Sequence, residues 1–241
     1  MLGGGVEMTP YTKSEARAWS RESLHGCANV IIPSYTNDLR GMNEAAIRHD
    51  VRREIELGFT GALLVSETAI TPDEYVQFTE WAVDEADGRL QFLHHASFNT
   101  LEENIEVAKR VQDAGAVLAL LSYPPTFFPT SSEDIYAYSK AFCDAVDLAV
   151  MLFPVPLWGF EPLHGASLDP RIVRRLVDDC PNVVAVKAEG GFPSLGGFMH
   201  LYRSVGDDVI VTMPSEEHAI PLKTQLRLQW MGTSGYEFYG D

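Results

Sequence analysis

From residue 28 onward the chain alternates short apolar runs with amphipathic segments of helical period, and this rhythm restricts the fold more than any other feature. ANVIIPS (28–34) precedes NEAAIRHDVRREIELG, GALLVS (61–66) precedes TPDEYVQFTEWAVDEADG, LQFLHHAS (90–97) precedes TLEENIEVAKRVQDAG, and AVLALLS (116–122) precedes SSEDIYAYSKAFCDAV. LAVMLFPVP (148–156) leads through a longer loop to DPRIVRRLVDDC, and NVVAVK (182–187) leads to the glycine-rich GGFPSLGG and then FMHLYRSVG. DVIVTM (208–213) leads to a less regular helix over 217–230. Several helices announce their starts: Thr71 and Glu74 have capping-box spacing with Pro72 at the first helical position, Thr100 and Glu103 repeat the spacing, and Asp169 precedes Pro170. Strands that alternate with helices build right-handed crossovers and a parallel sheet covered by helices. A count approaching eight favours a closed (β/α)8 TIM barrel, and no G-x-G-x-x-G or Walker loop follows any strand. The eighth strand is expected in GTSGYEFYG (232–240), so the reading is one barrel domain over 1–241, with 1–27 a segment preceding the first strand and with the last helix and any C-terminal helical extension lacking.

Charge narrows the partners. The 34 acidic residues against 18 Lys and Arg give a formal net charge of -16, which repels phosphate backbones and anionic lipid, so neither nucleic acid nor a membrane surface is expected. No run approaches the ~20 apolar residues of a membrane span, and the N-terminus lacks the apolar core of a signal peptide; a cytoplasmic location is expected. Cys27, Cys143 and Cys180 form no C-x-x-C pair and read as buried small apolar residues.

In a barrel the chemistry lies at the C-terminal ends of the strands. Those ends carry Ser66 and Glu67, His94 and His95, Ser122 and Tyr123, Phe153, Lys187 and Glu189, and Met213 to Glu216. A lysine closing an apolar strand loses hydration, its pKa falls, and the neutral amine becomes a nucleophile toward carbonyls. The bland alternative is a lysine that snorkels to the rim or pairs with Glu189 or Glu216.

Phe153-Pro154-Val155-Pro156, Pro181 to Val184 and Val186-Lys187-Ala188, in this order, resemble the strand-five and strand-six signatures of the dihydrodipicolinate synthase and N-acetylneuraminate lyase superfamily, class I aldolases on (β/α)8 barrels. NTLEENIEVAKRVQDAGAVLALLSYPP and GRLQFLHHASFNT resemble its third helix, fourth strand and third strand. The resemblance implies that Lys187 forms a Schiff base, that no cofactor or metal is needed, and that the protein is a homo-oligomer acting on a small carbonyl compound.

Three departures bear on the activity. Phe153 stands where the family has a proton-relaying tyrosine; Val65-Ser66-Glu67-Thr68-Ala69 replaces a carboxylate-holding Gly-Thr-Thr-Gly-Glu; and Pro156-Leu157-Trp158-Gly159 lacks an arginine. The expected function is therefore a Schiff-base lyase of aldolase or hydratase-aldolase type on a 2-oxo acid or a related carbonyl compound, other than dihydrodipicolinate synthase. Glu67, His94 or His95, and Glu189 are the candidates for proton transfer, while Ser66, Thr68, Tyr123, Phe153, Trp158 and Glu216 are the candidates for substrate contact. Residues alternate along a strand, so His94 and His95 cannot both face inward, which also weakens a metal-dependent hydrolase reading. The other rival is a barrel that has kept the fold and lost the lyase chemistry, serving as a ligand-binding or assembly protein.

Overall fold

A computed structural model describes residues 9–189 and 194–232, with nothing stated for the side chains of Ser194 and Glu216. Helix α1 (Ala16–Ser23) comes first. Then β1 (Gly26–Ile31), β2 (Gly61–Leu64), β3 (Gln91–Ala96), β4 (Leu118–Leu121), β5 (Ala149–Leu152), β6 (Val183–Lys187) and β7 (Ile210–Thr212) are each followed by a helix. Those helices are α2 (Glu44–Glu56), α3 (Pro72–Ala86), α4 (Leu101–Asp113), α5 (Ser132–Ala145), α6 (Pro170–Asp179), α7 (Ser194–Val205) and α8 (Glu216–Lys223), after which comes β8 (Trp230–Gly232). All seven strand ladders are parallel, in the order β7-β6-β5-β4-β3-β2-β1-β8. The two ends of that order, β7 and β8, lie against each other, giving a nearly closed (β/α)8 barrel.

Strand alternation sorts the side chains into two cores. Leu93, Leu118, Leu120, Met151, Ala185, Ile210 and Trp230 fill the barrel interior. Their neighbours pack outward beneath the helices: Ile31, Leu64 and Phe92 against Phe78 and Val107, and Ala119, Leu121 and Val150 against Phe142 and Leu176. The segment before β1 seals the N-terminal end of the barrel, with Tyr11, Ala16 and Leu24 joining the interior core. The Tyr11 hydroxyl donates to the Val117 carbonyl and accepts from Ala149 N at 2.8 Å, tying together the starts of β4 and β5. The opposite, C-terminal end is left for chemistry.

Four local expectations are corrected. The Thr71–Glu74 capping box forms, but at α4 only Thr100 caps: the Glu103 carboxylate reaches back one residue further, to Asn99 N at 3.0 Å. Helix α7 starts at Ser194, inside the stretch read as a glycine-rich loop, because packing of Phe198 and Leu201 into the outer core outweighs the low propensity of Gly196 and Gly197. The helix after β7 is shorter than 217–230, ending at Lys223. The eighth strand lies at Trp230–Gly232, where it pairs with Gly26 to Ala28 of β1; the rest of the stretch expected to form it, 233–240, is outside the described residues.

Candidate active site

Lys187 is the last residue of β6, in register with Thr212 of β7, and its backbone is pinned on both sides. Ala188 N donates to the Thr212 carbonyl and Glu189 N to the Pro154 carbonyl. The side chain is 14% exposed, with Nζ 4.4 Å from the centre of the Phe153 ring and 4.0 Å from Glu189 Oε1. Burial pushes the ammonium pKa below its ordinary value, whereas the Glu189 charge opposes that shift. The ring face also favours a cation, by ~1–2 kcal/mol where water is excluded. Desolvation nevertheless prevails, so part of the amine is available as a nucleophile at lower pH than a free lysine would allow. The Glu189 carboxyl is itself pushed upward by burial, and Lys187 limits that rise.

The two histidines face opposite sides of β3. His95 points into the mouth, where Nε2 lies 2.9 Å from Ser122 Oγ and 3.8 Å from Glu67 Oε1. Ser66 N–H is directed at His95 Nδ1 at 3.4 Å, so Nδ1 acts as acceptor and Nε2 carries the ring proton. Burial, with the Lys187 charge adding to it, lowers the His95 pKa to about 3, and the ring is neutral at ordinary pH. Burial pushes the Glu67 carboxyl above its usual range. His94, by contrast, lies under the helices, with Nδ1 3.2 Å from the Tyr75 hydroxyl and its ring beside Phe98. The catalytic expectation for His94 is therefore corrected: it is 1% exposed and separated from the mouth by the sheet itself.

Substrate contact is redistributed in the same way. Tyr123 follows β4 on its outer face, and its hydroxyl is bonded to Ser139 Oγ at 2.7 Å, so only its ring is offered to a ligand. The Ser66 hydroxyl donates to the His95 carbonyl at 2.6 Å and lies 2.9 Å from Ser97 Oγ, which makes it a brace for His95 rather than a free donor. Thr68 Oγ1 is buried beside the Tyr35 hydroxyl, which donates to the Ala69 carbonyl and is left able to accept from Thr68. Trp158 donates from Nε1 to the Phe153 carbonyl at 2.7 Å and meets the Phe153 ring edge-on at 5.7 Å, fixing the ring that lies against Lys187. Glu216 opens α8, and its side chain lies outside the described residues.

Two further residues stand in the mouth: Ser122, read in the sequence as a strand end but given no role, and Thr212, which was missed. Both stand on the inward parity of their strands, Ser122 after Leu118 and Leu120, and Thr212 after Ile210. That parity was the available signal. Thr212 is fully buried beside Lys187, and its hydroxyl has no partner among the described residues.

Beside this cluster opens a cavity of about 660 Å³, walled by Tyr123, Phe127, Phe128, Trp158 and Phe160, with Glu67 and Thr68 at its polar edge. Among the described residues, no group of three or more His, Cys, Asp and Glu side chains is placed to hold a metal ion.

His94 and His95 make stability acid-sensitive. Both have folded pKa values of about 3, below the ordinary 6.5, so the unfolded chain binds more protons throughout that window and stability falls as pH drops through it. Between about pH 7 and pH 5 each histidine should remove about 2 kcal/mol. In urea unfolding, a His94→Phe variant should therefore show a pH 7 to pH 5 loss smaller by about that amount.

A parallel eight-stranded barrel with a desolvated lysine at the mouth end of its sixth strand has the architecture of the class I aldolase superfamily. A model of the dihydrodipicolinate synthetase family matches residues 25–222, and the chain belongs to that family. The 4-hydroxy-tetrahydrodipicolinate synthase of Methanopyrus kandleri is 26% identical over 203 residues, 83% of this chain and 65% of that protein. The crystal structure of a dihydrodipicolinate synthase from Acinetobacter baumannii complexed with pyruvate superposes with a TM-score of 0.71 at 24% identity, covering 88% of this chain and 70% of the other. N-acetylneuraminate lyase from Fusobacterium nucleatum gives 0.72 at 16% identity, with 88% and 70% covered. The chain spans just under two thirds of the first curated relatives it matches, 65% and 66% of their lengths.

Proposed function

We propose that the protein is a Schiff-base lyase of aldolase or hydratase-aldolase type, which joins a 2-oxo acid to an aldehyde or cleaves the corresponding adduct. The observation that carries this reading is the Lys187 amine, buried at the end of β6 against Phe153 and beside a neutral imidazole. Lys187 attacks the carbonyl carbon, and the carbonyl oxygen takes protons and leaves as water. The protonated imine then withdraws electrons as a C–C bond is made or broken at the neighbouring carbon. His95 Nε2–H acts through the Ser122 hydroxyl, which accepts it at 2.9 Å, to polarise the aldehyde oxygen without becoming a cation, a role open to a neutral imidazole. Glu67, its carboxyl pushed upward by burial, carries the proton that the family's tyrosine would carry. Ser122 and Ser66 orient the imidazole, and Thr68 offers a hydroxyl to the oxo acid.

Phe153 has no hydroxyl, and Trp158 occupies the stretch where an arginine is expected. Both support an activity other than the synthase reaction for which the relatives are named. Phe153 equally favours the rival reading of a barrel that binds carbonyl ligands without turning them over. A homo-oligomeric, cytoplasmic protein completes the proposal; no helix among the described residues is long and apolar enough to cross a membrane.

The test is a panel of 4-hydroxy-2-oxo acids, with pyruvate release followed by a coupled lactate dehydrogenase assay, alongside an assay for 4-hydroxy-tetrahydrodipicolinate formation. Pyruvate release without synthase activity is expected. A chain that is inactive across the panel, in both directions, would leave the binding-protein reading standing.

A further inference from the structure

The large cavity is joined to the reacting end of the site by two residues. Glu67 lines it and lies 3.8 Å from His95 Nε2. Trp158 lines it and packs against Phe153, the ring that lies against the lysine amine. Lys187 itself lines a small void in the barrel interior rather than this cavity, so the distal half of a substrate bonded to it would enter the cavity past Glu67 and Trp158.

The chemistry of the wall is one-sided. Tyr123 stacks with Phe127 at 5.6 Å and meets Phe160 and Trp158 edge-on at 5.2 and 5.9 Å, so the wall combines ring edges and ring faces, which a guest ring can meet in the favoured offset and T-shaped geometries. Among the described lining residues there is no lysine, arginine or histidine, and the sole charge is that of Glu67. A carboxylate or phosphate on the distal half would lose water, find no cation, and approach a like charge. A neutral aryl group would instead displace water from apolar surface, and the cavity's volume falls within the range typical of small-molecule sites.

We infer that the second substrate is an uncharged aromatic aldehyde. This rests on the Schiff-base reading of Lys187. The imine of the 2-oxo acid loses a proton from its C3 to give an enamine, and C3 forms a bond to the aldehyde carbon. The aldehyde oxygen takes that proton, and water then hydrolyses the imine to release a 4-aryl-4-hydroxy-2-oxo acid and free lysine. Cleavage runs the same steps backward.

The experiment has two parts on the same purified protein. Borohydride trapping with pyruvate first establishes the imine at Lys187. Values of kcat/KM are then measured with pyruvate and, in turn, benzaldehyde, 4-carboxybenzaldehyde and propanal. Benzaldehyde should exceed each of the other two by on the order of 100-fold. Leu157 lines the cavity and is already 69% exposed, so Leu157→Lys should leave the fold intact. By placing a cation at the rim, it should move the preference toward 4-carboxybenzaldehyde by roughly tenfold. If the imine traps but 4-carboxybenzaldehyde or propanal equals benzaldehyde, the inference fails while the Schiff-base reading stands. If no imine forms, both fail.

Discussion

Replacing Lys187 by methionine should abolish turnover, a fall of at least about a thousandfold, and should make the protein more stable. The two effects have one cause. The lysine is buried with its pKa held below the ordinary 10.5, so at neutral pH the folded chain bears a desolvation cost that the unfolded chain does not. Between the folded pKa and 10.5 the unfolded state binds more protons, so the penalty is largest at low pH and is relieved as pH rises through that window. Glu189 at 4.0 Å and the Phe153 ring face offset part of the cost without reversing it. Methionine fills much the same volume and removes the charge. A gain of ~1 kcal/mol corresponds to a rise of roughly 2–4 °C in Tm for a chain of this size. Calorimetry of the two proteins at neutral pH checks the stability, and the pyruvate assay checks the activity. A variant that lost both activity and stability would mark Lys187 as a structural residue.

His95→Asn should lower kcat by roughly 10²–10⁴-fold with a much smaller change in KM, because the imidazole acts on the developing oxygen rather than on the bound ground state. Asparagine keeps a donor but is too short to span from Ser66 N to Ser122 Oγ as the ring does. Imine formation with pyruvate should persist in this variant, since the nucleophile and its burial are untouched. Single-turnover trapping compared with steady-state rates separates the two. Loss of trapping together with turnover would mean that His95 maintains the shape of the mouth instead.

The sequence carried the barrel through its rhythm. Each apolar run from GALLVS to DVIVTM contains a strand, and the caps at Thr71 and Asp169 form because they depend only on residues two or three positions away. Lys187 was also legible, since a lysine at the end of VVAVK has few places to go in a parallel sheet. Alternation along β3 required one histidine to turn away but could not say which, because that depends on where the strand begins, and only the packing of Leu93 in the interior fixes it. The fate of hydroxyls was hidden for a related reason. Tyr123 bonds Ser139 across 16 residues of chain and Ser66 reaches His95 across 29, partners that exist only once helices and strands are packed. The start of α7 was masked by glycines whose low propensity gave way to tertiary contacts.

The central claim is that Lys187 is the imine-forming nucleophile. The measurement that meets it most directly is borohydride reduction in the presence of pyruvate, followed by peptide mapping by mass spectrometry. A reduced pyruvate adduct on the peptide containing Lys187, absent in Lys187→Met, is the predicted result. An adduct on another lysine, or turnover with no adduct at all, would contradict it.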